Sequence, residues 1–221
     1  LSQWRGYADD GRGAAIGFDL DVLKQIGVEH PQHNGLEVFP GPEHKKAAEA
    51  FWAAQDLQPG EQVVGFNIGS AVVTKRWAPE RFAQVADTLA KEGYRTVFFG
   101  GSMDEDMVRE AVAFMKSKPM IATGKFSLGE LAAAMSRCSL IITNDSGPMH
   151  VAISQKVPIV AMYGPSHPEL YGPYTRLASI VRADPPCDGC HKGMKHHCDD
   201  MRCMRDLTVQ QVLKAAHRWL S

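Results

Sequence analysis

The chain has no apolar run approaching the roughly 18 residues that a membrane-spanning helix requires. Its first residues also lack the charged-then-apolar layout of a secretory leader. Net charge is missing too: 24 Lys and Arg stand against 25 Asp and Glu, a balance of −1, which excludes the electrostatic footprint of a nucleic-acid binder. No loop carries the G-x-G-x-x-G of dinucleotide-binding folds or the G-x-x-x-x-G-K-[ST] of nucleoside triphosphatases, so hydride transfer and ATP hydrolysis are poor readings. The G-x-S-x-G elbow of serine hydrolases is absent as well. Cysteine is scarce, with 5 in 221 residues, and four of these crowd into positions 187 to 203.

What is present is an alternation of strand and helix patterns from about residue 62. Strands are expected at Gln62 to Ile68, Tyr94 to Phe99, Ile121, Leu140 to Thr143 and Pro158 to Tyr163. Between them, helices are expected at Pro79 to Glu92, stopped by Gly93, then at about Asp104 to Lys116, Leu128 to Arg137 and Pro148 to Gln155. Such spacing implies a Rossmann-like α/β fold, a doubly wound parallel sheet. The loops at Gly69-Ser70, Gly100-Gly101, Gly124-Lys125, Asn144-Asp145 and Gly164-Pro165 would gather along one rim, forming a nucleotide-sized pocket. Upstream, helices are expected at Asp19 to Ile26 and Glu43 to Ala54, and a last helix at about Thr208 to Leu220. The chain opens on Leu1, and Trp4 to Gly17 has no clear periodicity, as if entered partway through a domain. The expectation is a fragment.

The most informative junction is Asn144-Asp145-Ser146-Gly147-Pro148-Met149-His150, directly after the apolar run Leu140 to Thr143. Ser146 suits an N-cap, Gly147 lets a ligand approach the backbone, and Pro148 fits a first helical turn. Free N–H groups there would meet an anion beyond the strand's carboxyl end, with His150 in the same turn. An ordinary strand-to-helix turn capped by Asp145 and Ser146 is the plainer reading of these seven residues. Lys75-Arg76, before Trp77, offers a charge for a diphosphate, or a solvated pair beside a capping aromatic. Cys187-x2-Cys190-x7-Cys198-x4-Cys203, with three histidines between its members, suits a tetrahedral structural zinc or a loop of reduced thiols. Cys138, Trp52 and Trp219 read as packing residues. His167, Tyr171 and Tyr174 read as an acceptor cleft or a packed surface loop.

Taken together, Lys75 to Phe82, Phe98-Phe99-Gly100-Gly101 with its following acidic residues, Gly124 to Leu131, Asn144 to His150 and Val157 to Pro165 resemble glycosyltransferase family 9, the heptosyltransferases of lipopolysaccharide core assembly. The resemblance runs from about residue 60 to the C-terminus. It implies the C-terminal, donor-binding half of a GT-B fold. Residues 1–60 would be a remnant of the acceptor-side domain and linker, 61–206 the sugar-nucleotide-binding domain, and 207–221 a helix crossing back to the N-terminal domain.

The implied reaction is inverting transfer of a heptose-like sugar from a nucleotide diphosphate donor, ADP-heptose by resemblance, to a lipopolysaccharide core or related glycan. Lys75 would stabilise the leaving diphosphate. Ser70, Lys75, Glu105, Phe126, Asp145, Ser146, Gly147 and His150 would bind the donor, with Glu105 reaching the nucleoside and the Phe126 loop covering the base. The loop Asn67 to Thr74 departs from the family's commoner Pro-Gly-Ala start. The general base is expected in an N-terminal part that this chain does not contain. The resemblance implies that the chemistry here requires no metal or other cofactor, a structural zinc aside. The implied location is cytoplasmic, with a lipid-linked glycan acceptor bringing the full enzyme to the inner face of the inner membrane. A reading from a different class is a non-catalytic nucleotide- or zinc-binding module with the same fold.

Overall fold

The computed structural model describes residues 22–23, 25–28, 35–183, 198 and 200–220. Half of the expected helix Asp19 to Ile26 lies outside that set. Helix α1, Pro42–Ala53, starts at a proline, whose missing N–H costs nothing in a first turn. Strand β1, Val63–Asn67, is buried throughout and leads through a loop into α2, Pro79–Lys91, again opened by proline. Gly93, at φ +99°, supplies the left-handed turn that ends α2. Then follow β2 Arg95–Phe99, α3 Glu105–Phe114, β3 Met120–Ile121, α4 Leu128–Met135, β4 Leu140–Asn144 and α5 Gly147–Ser154. The remaining elements are β5 Ile159–Met162, the short α6 Pro168–Tyr171, β6 Ala178–Val181, the short α7 Arg202–Arg205 and α8 Val209–Leu220.

All six strands are parallel, in the order β3-β2-β1-β4-β5-β6. Side chains alternate cleanly across the sheet, as the pleat dictates. Val64, Phe66, Phe98, Leu140, Ile142, Val160 and Met162 face the core built with α2, α3 and α8. Val63, Val97, Phe99, Ile141, Ile159 and Ala161 face a second core, closed by α1, α4 and α5. Gly65 sits in the middle of β1 because its neighbours fill the space: a Cβ there would lie 2.4 Å from Ile141 Cδ1 and 2.8 Å from the Phe99 ring.

Two expectations need correction. The helix expected from Asp104 to Lys116 begins with a single 3-10 turn, Ser102–Asp104, and ends at Phe114. It stops there because the Asp87 carboxylate accepts from the amides of Lys116 and Ser117, which draws the chain out of the helix. Strand β6 was not expected at all. Helix α1 packs on α4, with Ala48 buried and Phe51 and Trp52 against the second core, so residues 36–57 help close the domain. Helix α8 packs on α2 and on strands β4 to β6, burying Val212, Ala215, Ala216 and Leu220. Tyr94 and Trp219 anchor it by hydrogen bonds to the Leu220 carbonyl and the Ser179 hydroxyl.

Candidate functional site

The strand order sets the place of the site. The chain builds outward from β1 through β2 to β3, then returns to the other side of β1 to lay down β4, β5 and β6. That reversal opens a crevice outside the carboxyl ends of β1 and β4, where ligands bind in open α/β sheets. The β1 loop carries Ser70, Lys75 and Arg76 to one side of it. The β4 loop carries Asp145, Ser146 and Gly147 to the other.

The two loops meet in an ion pair. Lys75 Nζ donates to Asp145 Oδ2 at 2.6 Å, with the two side chains only 11% and 5% exposed. Ser166, in the loop after β5, donates its hydroxyl to the same carboxylate oxygen. Asp145 therefore gathers three strand-end loops. An ammonium has three N–H donors, so Lys75 retains capacity for a further acceptor while anchored at one corner. Arg76, beside it, is turned back to donate from Nε to the Ser70 carbonyl at 2.7 Å.

Ser146 is the N-cap of α5 by position, with φ −157° and ψ 169°, and its carbonyl accepts from the Met149 amide. Its side chain does not cap the helix, contrary to expectation. Pro148 removes one of the two N–H groups that an N-cap oxygen could reach, and Asn67 Nδ2 claims the hydroxyl oxygen at 3.0 Å instead. Among the described residues the amides of Ser146 and Gly147 have no acceptor. Gly147 is exposed, and a Cβ there would meet nothing within 4 Å, so the space in front of this turn is open.

His150 lies one turn into α5, half-buried between these charges. Burial pushes its pKa below the usual 6.5, with Asp145 working against the shift and Lys75 with it. The imidazole is neutral at pH 7. The unfolded chain therefore binds a proton that the folded one does not, in the window between the depressed value and 6.5. Stability from this group is complete above that window and falls as the pH drops through it. Urea titrations of the wild type and His150→Gln between pH 5 and 7.5 (~2.5 units, spanning the reference value) are expected to show a shallower pH dependence for the variant.

The remaining expected site residues line the rim on the β2 and β3 side. Ser70 is buried, its Oγ accepting from the Val72 amide. Gly69 packs directly on the Asp104 carboxylate, where a Cβ would come within 2.2 Å. Asp104 in turn accepts from the Gly101 amide at 2.9 Å. Glu105 is exposed at the start of α3 and stands over Gly124, whose φ is +71°. Phe126 is half-buried, edge-on to Phe51 of α1 with centroids 5.2 Å apart. Lys75, Asp145, Ser146 and Gly147 thus converge on the crevice with His150 behind them. Glu105 and Phe126 belong to the β2 and β3 loops of the same rim.

Asn67 and Asn144 escaped the sequence reading as functional candidates. Both end strands, both are wholly buried, and each reaches across to the other's loop. Asn144 donates to the Ile68 carbonyl at 2.8 Å and accepts from the Trp77 amide at 3.1 Å.

A groove of about 700 Å³, lined by residues such as Phe39, Lys45, Trp52, Arg137 and Lys156, sits at the opposite end of the sheet, where α4 and α5 finish. It shares no residue with the crevice. Another, of about 440 Å³, runs beside the start of α2 between Arg76, Met107 and Met204. Of the four clustered cysteines, Cys187 and Cys190 lie outside the described residues. Cys198 Sγ accepts from the Met201 amide at 3.4 Å, and Cys203 is buried against Gly164 and the core. Among the described residues no three potential ligands come together around a metal position. In the loop after β5, Tyr174 is buried and Tyr163 donates its hydroxyl to the Tyr171 carbonyl, whereas the Tyr171 side chain is exposed.

Residues 18–198 match the family described as glycosyltransferase family 9 (heptosyltransferase). The lipopolysaccharide heptosyltransferase 2 of Salmonella typhimurium is 33% identical over 172 residues, covering 75% of this chain and 49% of the relative. That of Escherichia coli is 32% identical over 165 residues, covering 72% and 47%. The chain thus spans about half the length of these relatives. Among solved structures, a family 9 glycosyltransferase from Veillonella parvula superposes with a TM-score of 0.85 at 47% identity, over 95% of this chain and 60% of that one. The ADP-heptose lipopolysaccharide heptosyltransferase II of Escherichia coli follows the same fold with a TM-score of 0.69 at 28% identity, over 83% and 53%.

Proposed function

The chain belongs to glycosyltransferase family 9, and from that premise we propose that it forms the donor-side half of a GT-B heptosyltransferase, binding the diphosphate of an ADP-heptose-like donor in the crevice between β1 and β4. The observation that carries this reading is the convergence there of an anchored Lys75 with the unaccepted amides of Ser146 and Gly147. The name of the Escherichia coli relative supports ADP-heptose as the donor.

The chemistry follows from where charge develops. As the sugar's anomeric bond to the diphosphate breaks, negative charge grows on the leaving phosphate. Donors fixed beforehand at that place stabilise the transition state more than the ground state. Helix-end N–H groups contribute roughly 0.3–1 kcal/mol at exposed sites and up to about 2 kcal/mol when partly buried. That is too little alone, so Lys75 supplies the remainder through its donors not given to Asp145. Asp145 opposes an anion by its charge, and its part is to aim the ammonium. Neutral His150 can donate one hydrogen bond without adding charge. Glu105 stands where an acidic group could accept from ribose hydroxyls. The acceptor hydroxyl, a lipid-linked glycan of the lipopolysaccharide core, and the base that deprotonates it belong to the part of the enzyme that faces this rim. Attack from that side, opposite the diphosphate, would invert the anomeric centre.

Calorimetric titration with ADP, UDP and GDP tests the reading. Preferential ADP binding that is lost in Lys75→Ala supports it. Equal affinity for all three, or no binding to any, overturns the assignment of a donor site to this crevice. Zinc assayed on the same sample checks the four-cysteine expectation, since a structural site would retain about one equivalent per chain.

A further inference from the structure

We infer that Asn67 is a positioning residue for the diphosphate site, acting through Ser146; the inference rests on the donor reading above. Asn67 closes β1, with its side chain wholly buried at the strand's carboxyl end. Its amide Nδ2 donates to Ser146 Oγ at 3.0 Å and to Thr143 Oγ1 at 3.2 Å, and lies 3.5 Å from the Gly69 carbonyl. One buried amide thus ties the β1 loop, the end of β4 and the first residue of the α5 turn together. Its own Oδ1 has no partner among the described residues.

The unpartnered Oδ1 opposes folding while the Nδ2 hydrogen bonds to Ser146 and Thr143 favour it, so the two contributions offset each other in the folded state. Stability alone therefore does not explain an asparagine here. What Asn67 accomplishes, together with the Asn144 carbonyl that accepts from Ser146 Oγ at 3.4 Å, is to hold the Ser146 hydroxyl away from the helix. A free N-cap hydroxyl turns in over the first helical turn, across the face where an anion would approach. With the hydroxyl drawn toward β1, the amides of Ser146 and Gly147 stay open to the crevice. Asn144 answers from the other strand, fixing the β1 loop through Ile68 and Trp77. The pair sets the spacing between Lys75 on one loop and the α5 turn on the other before any ligand arrives.

The test compares the 221-residue chain and its Asn67→Leu variant for binding of ADP and of adenosine, which share the base and ribose but not the diphosphate. Asn67→Leu is expected to melt within a few degrees of the wild type, since it loses the Nδ2 hydrogen bonds together with the unpartnered Oδ1. Its ADP affinity should drop about ten-fold, while adenosine affinity stays within about two-fold, since only the diphosphate contacts are disturbed. Thr143→Val, which removes one tether of the Asn67 amide, should act in the same direction by a smaller factor. It keeps the inference testable should the leucine variant not fold. Equal losses for ADP and adenosine, or no loss in a folded variant, would reduce Asn67 to a scaffold residue and overturn the inference while leaving the donor reading standing. A wild-type chain that binds adenosine but gains nothing from the diphosphate would overturn the donor reading, and this inference with it.

Discussion

Lys75→Ala is expected to lose about 3 kcal/mol of stability, the low end for breaking a buried pair, and to bind ADP about 100-fold more weakly. The stability loss follows from what remains. Asp145, with its side chain only 5% exposed, would keep the Ser166 hydroxyl but lose the ammonium 2.6 Å away. A carboxylate left in that position is desolvated and without its counter-charge. The binding loss has a different origin, since it reflects the donors that Lys75 would turn to the diphosphate. The double variant Lys75→Met with Asp145→Asn separates the two effects. Removing both charges of a buried pair is often close to neutral, so its urea midpoint should return toward the wild type while ADP binding stays weak. Recovery of both would deny Lys75 a role toward the donor. An unchanged midpoint in Lys75→Ala would mean that the pair adds nothing to the folded state.

That prediction depends on a contact between residues 70 positions apart, and this separation marks the limit of what could be read from the sequence. The strands β1, β2, β4 and β5 were legible because buried parallel strands are apolar throughout and end at turn residues. Pro79 and Gly93 marked the ends of α2 for reasons local to the chain. The rim was legible too, because every loop in a parallel sheet that follows a strand emerges at the same edge. Strand β6 was not. Ala178, Ser179 and Ile180 are half-buried at the sheet's edge, with neither the unbroken apolar run of a central strand nor a strict alternation.

At the site, Lys75, Asp145, Ser146, Gly147 and His150 were expected together because the family resemblance joined two motifs that their residue types alone left open, but their couplings were not legible. Ser146 looked like a side-chain cap because capping is a local rule. The rule lost to Asn67, 79 residues away, and to Pro148, which took away one of the donors. Asn67 and Asn144 carry no signal of their own in the sequence. Their partners lie on loops that only the fold brings together.

Trp77→Ala is expected to be the most destabilising single change near the site, at about 3–5 kcal/mol for loss of a buried tryptophan side chain. In a domain of this size that corresponds to a fall of roughly 10 °C or more in melting temperature. The side chain is wholly buried and edge-on to Phe82 at 5.1 Å, and its indole N–H donates to the Leu207 carbonyl at 3.0 Å. Leu207 lies two residues before α8, so the tryptophan ties the C-terminal helix to the loop that carries Lys75 two residues upstream. Its backbone amide also supplies the donor that Asn144 accepts. Truncation would leave a cavity beneath the β1 loop, while the Leu207 carbonyl would keep only the Arg81 guanidinium. Trp77→Phe preserves most of the ring packing and loses the indole hydrogen bond, for which about 1–2 kcal/mol is expected. ADP affinity should fall with the alanine variant even well below its melting temperature, because the loop that presents Lys75 is no longer held from below. A folded Trp77→Ala that binds ADP as the wild type does would mean that the Asp145 pair alone positions the lysine, and that the core beneath the loop contributes stability without shaping the site.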